Sequence, residues 1–320
     1  MFVANVVNMV GGLGNQLFQY LFGSALSYHT GRPTLYDVSD YSGYKKHGGL
    51  TLDQAFEIDL PILSDVQHTF VPSAVRSVLT KRLFNRMPKT STTFSNIYVD
   101  DGTCDLSTAT RSRERRGYFL GVWQYVNYPD AFLTGFREQL HFREEVSLAA
   151  QHALDQYAHF SENSVSIHVR LGDYLKSAKA WHLPLQEHYY VGIIMKLLSE
   201  VPNRHFFVFS DDIKSIRNSW FKGLPVTFVD GYTNQTAFSD LLMVSCFKTI
   251  VISASTYGWW AGFLSKPNTM VYFPSPWVRA KFVLNPRYTP FIPPHWVPLN
   301  TNGFDMVLDP QVDLQMASNT

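Results

Sequence analysis

SVSIHVRLGDY, Ser164 to Tyr174, sets the reading of the whole chain. Val165, Ile167 and Val169 alternate with polar neighbours, so the stretch opens as a short strand. The strand runs into His168, Arg170 and, past Leu171, Gly172 and Asp173. Gly172 can adopt backbone angles closed to other residues, so a turn fits there. An arginine at the carboxyl end of a strand in an α/β domain stands where ligands bind. Its planar fork matches a pair of phosphate oxygens. An arginine–aspartate pair bracing the turn is the plainer alternative.

Outward from this strand, elements alternate. A helix follows at about His188–Val201, then a strand at His205–Ser210 and a short helix at Asp212–Trp220. Next come a strand at Val226–Asp230, a helix at Thr236–Phe247, a strand at Thr249–Ser253, a helix at Thr256–Leu264 and a strand at Thr269–Phe273. Strands alternating with helices predict a parallel sheet covered on both faces. The prolines from Pro274 to Pro294 predict an irregular tail.

The amino-terminal half opens the same way. Phe2–Val10 reads as a buried strand, GGLGNQ (Gly11 to Gln16) as a turn, Leu17–Tyr28 as a helix, and Thr34–Val38 as a second strand. Gly31 and Pro33 mark the helix end. Gly11, Gly12 and Gly14 allow a ligand close to the backbone, and the next helix turns its first N–H groups towards that gap. The pattern is not G-x-G-x-x-G and has no P-loop lysine. Asn15 and Gln16 can cap the helix or hold a hydroxylated ligand.

The fold expected is therefore α/β, with two Rossmann-like domains facing a cleft. Residues 1–150 form one domain and 151–320 the other, with the boundary near 145–163. The middle of the first half carries weaker signals. Val71–Met87 reads as an amphipathic helix with Arg76, Lys81, Arg82 and Arg86 on a solvated basic side. Weak peripheral contact with a membrane is its alternative reading. Tyr118–Tyr128 is aromatic-rich, either a cleft wall or core. Asp37–Asp40 and Asp100–Asp101 lack a convincing metal setting, so no metal site is assigned.

Composition bounds the function. The 320 residues are 45% hydrophobic, 17% charged and 15% aromatic, with a net charge of +1. So weak a net field argues against nucleic acid as partner. Cys104 and Cys246 make neither a disulfide framework nor a zinc site. No apolar run is long enough to span a membrane, and the start lacks a signal peptide. The expected location is the cytoplasm, or the Golgi lumen if an anchor has been removed.

Three strand ends of the second half should converge on one sheet edge. They supply His168, Arg170, Gly172 and Asp173; then Ser210, Asp211 and Asp212; then Ser253, Ser255 and Thr256. Arginine neutralises phosphate, and hydroxyls with helix N–H groups add donors to the same anion. A carboxylate such as Asp212 accepts from paired N–H donors like those of guanine. Capping is the alternative role for each acid and hydroxyl. Together the three ends point to a nucleoside-diphosphate site.

GGLGNQLFQ, HVRLGDY, FSDD and ISASTYGWWAGFL, in order over residues 8–266, resemble the α-1,2-fucosyltransferases of glycosyltransferase family 11. The resemblance implies a GT-B fold, GDP-fucose as donor substrate, inversion at the fucose carbon, a galactose-terminated glycan as acceptor, and neither metal nor cofactor. It implies Arg170 on the β-phosphate, Asp212 on guanine, and Ser255 and Thr256 on the pyrophosphate. The Gly11–Gln16 loop would face fucose and acceptor, in the first domain, with the donor in the second. Leu171 stands where the family often has a second arginine, and Ala254 and Gly258 replace an asparagine and a serine. For a general base, His168 and Asp173 are the nearest titratable groups, while Asn15 can only orient. Transfer of another nucleotide sugar, or in another fucose linkage, and a module that binds sugar or nucleotide without turnover are the rival readings.

Overall fold

The computed structural model describes residues 4–42, 48–68, 71–77, 79–81, 97–100, 117–124, 126–157, 159–172, 183–229, 237–279 and 290–301. The chain divides into two compact units. One comprises Met1–Ser147 with Leu284–Phe291, the other Leu148–Val283 with Ile292–Thr320.

The first unit is built on a sheet of β1 (Asn5–Asn8), β2 (Thr34–Asp37), β3 (Ile97–Val99) and β4 (Tyr118–Leu120), ordered β2-β1-β4-β3 and parallel throughout. All four residues of β1 are buried, as expected for a central parallel strand. The Leu13–Thr30 helix crosses from β1 to β2 and buries Leu13, Leu17, Phe18, Leu21, Phe22, Ala25 and Leu26. Gly31 ends it in the left-handed conformation, φ 67°, with its N–H donated to the Ser27 carbonyl. The aromatic stretch after Gly117 is core: Tyr118, Phe119 and Trp123 are buried, and Trp123 stacks on Phe22 at 4.1 Å.

The second unit carries β5 (Val165–Val169), β6 (Phe206–Ser210), β7 (Val226–Phe228), β8 (Thr249–Val251), β9 (Met270–Ser275) and β10 (Val297–Asn300). Their order is β10-β9-β8-β5-β6-β7, all parallel. Read from β7, and renumbered from β5, this is 3-2-1-4-5-6, the Rossmann order. The direction of winding reverses between β5 and β8, the switch point at which sheets of this order bind their ligands. Val165, Ile167, Phe206 and Val208 form the core with Tyr190, Ile193, Ile194 and Leu197 of the Glu187–Glu200 helix.

Three expectations need correction. The tail is not wholly irregular, because β10 completes the sheet; Pro298 is tolerated since β10 is an edge strand. The helix expected at Asp212–Trp220 is one turn, Ile213–Ile216. The basic face expected at Val71–Met87 is not wholly solvated: Lys81 is 1% exposed. Within that stretch the described residues form a 3₁₀ turn at Ser73–Val75, while Arg82 and Arg86 lie outside the described residues.

Candidate functional site

The second unit gathers its polar groups at the switch point. β5 and β8 are neighbours, so the loops leaving them, at Arg170 and at Ser253–Thr256, flank the switch point. His168, the next-to-last residue of β5, meets Ser253, with Nδ1 2.9 Å from Oγ. Burial is the first cause, and the Arg170 charge the second, that hold the His168 imidazole at a pKa of about 3. It is therefore neutral near neutral pH and too weak to take a proton from a hydroxyl. The role of general base expected for His168 does not fit this burial. Asp173, the other candidate base, lies outside the described residues.

Arg170 is paired with Asp211, Nη1 to Oδ2 at 3.2 Å. The other carboxylate oxygen of Asp211 accepts from the Leu171 N–H at 2.9 Å. Asp211 is thus an orienting partner for the arginine. Gly172 makes this possible: a Cβ there would stand 2.6 Å from Asp211 Oδ2. The guanidinium remains about one-fifth exposed, so it can reach a ligand as well as its partner.

At the end of β8, Ser255 caps the Thr256–Leu264 helix, its Oγ accepting from the Gly258 N–H at 3.0 Å. Thr256 opens that helix, at the positive end of its dipole. Ser253 is buried and engaged with His168, so its expected contact with donor gives way to a bracing role. Gly258 allows the close approach, since a Cβ there would lie 3.0 Å from His168 Nδ1 and 3.2 Å from Ser255 Oγ. Ser210 accepts from the Asp212 N–H at 3.1 Å, and Asp212 precedes the Ile213–Ile216 turn without a side-chain capping bond.

One acid escaped the sequence reading. Asp240, in the first turn of the Ala237–Ser245 helix, has a buried Oδ1 with no hydrogen-bond partner among the described residues. Burial raises its pKa to about 6. Tyr257 lies between it and the strand ends: the tyrosine ring is 5.1 Å from His168, and both Asp240 and Arg170 act on its hydroxyl. In FSDLL the acid reads as a favourable first-turn charge, so only its burial distinguishes it.

The first unit has its own prepared edge. Of the three loop glycines only Gly11 has positive φ, 84°, and a Cβ there would collide with Asn15 Nδ2 at 2.4 Å. Gly12 caps the Leu13–Thr30 helix with no side-chain bond, and Gly14 is buried within it. Gln16, expected to touch donor, is instead a fully buried clamp. Its Nε2 donates to the carbonyls of Gly11 and Gly49, and its Oε1 accepts from the N–H groups of Thr51 and Leu52. Gln19 clamps the end of β1 in the same way, through Val10 and Gly121. Amides three residues apart inside an apolar helix were the available signal.

Asp37 and Asp40 close on Lys81, each with an oxygen 2.8 Å from Nζ. Burial alone would raise the Asp37 pKa, but the Lys81 charge and hydrogen bonds from Lys81 and Tyr118 hold it at about 2. Asp100 holds the turn after β4, accepting from the N–H groups of Val122 and Trp123. Among the described residues no three histidine, cysteine or acidic side chains form a metal-binding group. No helix of the described residues is long and apolar enough to cross a membrane.

Two parallel α/β units, the second wound in Rossmann order with its polar residues at the switch point, define a protein of the GT-B class. The profile of glycosyl transferase family 11 matches residues 5–299, and the chain belongs to that family. It is therefore a glycosyltransferase. It is 29% identical over 279 residues to the α-1,2-colitosyltransferase of Escherichia coli, covering 85% of this chain and 91% of that protein. It is 25% identical over 296 residues to the O-antigen biosynthesis glycosyltransferase WbnK of Escherichia coli, covering 83% and 92%. Among solved structures, the fucosyltransferase NodZ from Bradyrhizobium superposes with TM-score 0.51 at 12% identity, covering 82% of this chain and 94% of that one. POFUT1 in complex with GDP-fucose gives 0.52 at 12%, covering 84% and 97%.

Proposed function

We propose that this protein transfers L-fucose from GDP-fucose, with inversion, to the 2-hydroxyl of a galactose in a glycan. The observation that carries the reading is that Arg170 and the start of the Thr256–Leu264 helix follow the ends of neighbouring strands β5 and β8 at the switch point, a placement suited to a diphosphate. In the reaction the acceptor oxygen bonds to the sugar carbon as the bond from that carbon to the diphosphate breaks. GDP departs with the bonding electrons, and the hydroxyl proton is lost. Negative charge grows on the diphosphate, and Arg170 with the dipole of the Thr256–Leu264 helix stabilises it without requiring a metal. Asp211 keeps the fork aimed, so little reorganisation is needed as that charge develops. The purine's paired N–H donors have two acceptors to choose between. Asp212 is the one read from sequence, and Asp240 offers a buried oxygen still lacking a partner among the described residues. The glycine loop and Asn15 serve transfer rather than donor binding.

Colitose transfer is the second reading, favoured by the named activity of the 29% identical relative. Incubation of the protein with GDP-fucose or GDP-colitose and a panel of galactosides, in EDTA, separates them. Fucosylated product with a 1→2 linkage by NMR is expected. Product from GDP-colitose alone would replace the first reading by the second. Product that needs added manganese would overturn metal independence.

A further inference from the structure

The Gly11 carbonyl accepts two hydrogen bonds, from the Tyr41 hydroxyl at 2.8 Å and from Gln16 Nε2 at 3.1 Å. A peptide plane is rigid, so fixing a carbonyl fixes the N–H on its other side. The Gly11–Gly12 peptide therefore turns its N–H away from both clamps. Gly11 supplies the positive φ this requires.

Tyr41 is itself held. It ends a 3₁₀ turn, Ser39–Tyr41, that wraps round a buried ammonium group. Lys81 donates to Asp37 Oδ2, Ser39 Oγ and Asp40 Oδ2, each at 2.8 Å, which uses all three of its protons. Asn8, at the end of β1, donates to Asp40 at 2.9 Å, and the Ser39 N–H donates to Asp37 Oδ1 at 2.9 Å. A buried ion cluster of this kind is often no more stable than an apolar replacement, and orientation is one function that retains it. Here the turn it holds carries one hydroxyl to the glycine loop.

We infer that Tyr41, held in place by Lys81, is a positioning residue for transfer: it locks the Gly11–Gly12 peptide so that the Gly12 N–H is presented to a substrate oxygen. The inference rests on the reading that the glycine loop serves the transfer step. Removing one hydroxyl lets the peptide rock, and misplacement by about 1 Å lowers turnover by as much as about 100-fold.

The test uses the full-length protein, GDP-fucose and a galactoside. Tyr41→Phe is expected to lose about tenfold or more in kcat, with GDP affinity by calorimetry and Tm unchanged, and to move the Gly12 amide signal in NMR. Lys81→Met, if folded, should show the same kcat loss and the same amide shift. Tyr41→Phe with kcat within twofold of wild type overturns the inference, as does a kcat loss matched by an equal loss of GDP affinity. Asn15→Ala separates the two claims. If Asn15→Ala loses turnover and Tyr41→Phe does not, the positioning role fails alone. If neither does, the reading of the loop fails with it.

Discussion

Arg170 is the residue on which the proposed chemistry turns. A second arginine is absent from its strand end, because Leu171 occupies the next position and is buried in the core. Arg170→Ala should lower fucose transfer at saturating donor by about 100-fold to 1000-fold, the cost of one transition-state donor. Arg170→Lys keeps charge without the fork and should also be poor. Circular dichroism checks that both remain folded; turnover above about a tenth of wild type would place the diphosphate elsewhere. The choice of acceptor for the base is settled by two further variants. Loss of a hydrogen-bonded charged partner costs about 1.5–3 kcal/mol. Calorimetry with GDP should show that loss in Asp240→Asn or in Asp212→Ala, and unchanged affinity in both would remove guanine recognition from this pair. If Asp240 is the acceptor, GDP binding should take up no proton at pH 7 and should weaken below its pKa of about 6.

At the scale of elements, the strand ends were legible because short apolar runs end in polar residues in β5, β6 and β8. Their neighbours were less so. β10 hides behind Pro298, which a sequence reading takes as a strand breaker unless it knows that the strand lies at an edge. Lys81 falls on the polar side of a helical periodicity, and its partners Asp37 and Asp40 lie 44 and 41 residues away, so nothing local announces the cluster. Gln16 looked like a ligand contact for want of a view of the backbone it clamps. The turn after β5 yields an element-level prediction. Gly172→Ala puts a methyl 2.6 Å from Asp211 Oδ2, so the carboxylate must move and take the Arg170 fork with it. Transfer should fall by about tenfold or more, while Tm changes little because Gly172 is part-exposed. Transfer unchanged in that variant would show that Asp211 does not aim the arginine.

Over the whole molecule, three buried groups set opposing pH dependences. His168 has a folded pKa of about 3 against an ordinary 6.5, so the unfolded chain takes the proton first as pH falls. Its contribution is complete above pH 6.5 and is lost towards pH 3. Asp37, held at about 2, contributes fully above pH 3.8 and loses that on the way down to 2. Asp240 runs the other way: its raised pKa favours the folded state below pH 3.8, and that advantage disappears as pH rises through 6. In urea unfolding from pH 7 to pH 4 the His168 loss and the Asp240 gain should therefore nearly cancel in the wild type, and His168→Asn should leave stability rising as pH falls. An equal slope in that variant would mean that His168 is not buried neutral.

The path of the chain between its two units has a consequence for recombination. Having left the first unit at Ser147, the polypeptide comes back for Leu284–Phe291 before returning to finish the second. In that return the Phe291 N–H pairs with the Gln124 carbonyl at 2.9 Å. Further on, Trp296 fills the space beside Gly262 and packs on Trp259. A single genetic crossover near residue 148 would therefore graft foreign residues into the first unit along with the new second one. Exchange of nucleotide-sugar specificity between relatives built this way calls for two further junctions, round residues 284 and 291, or for partners whose returning segments are already interchangeable.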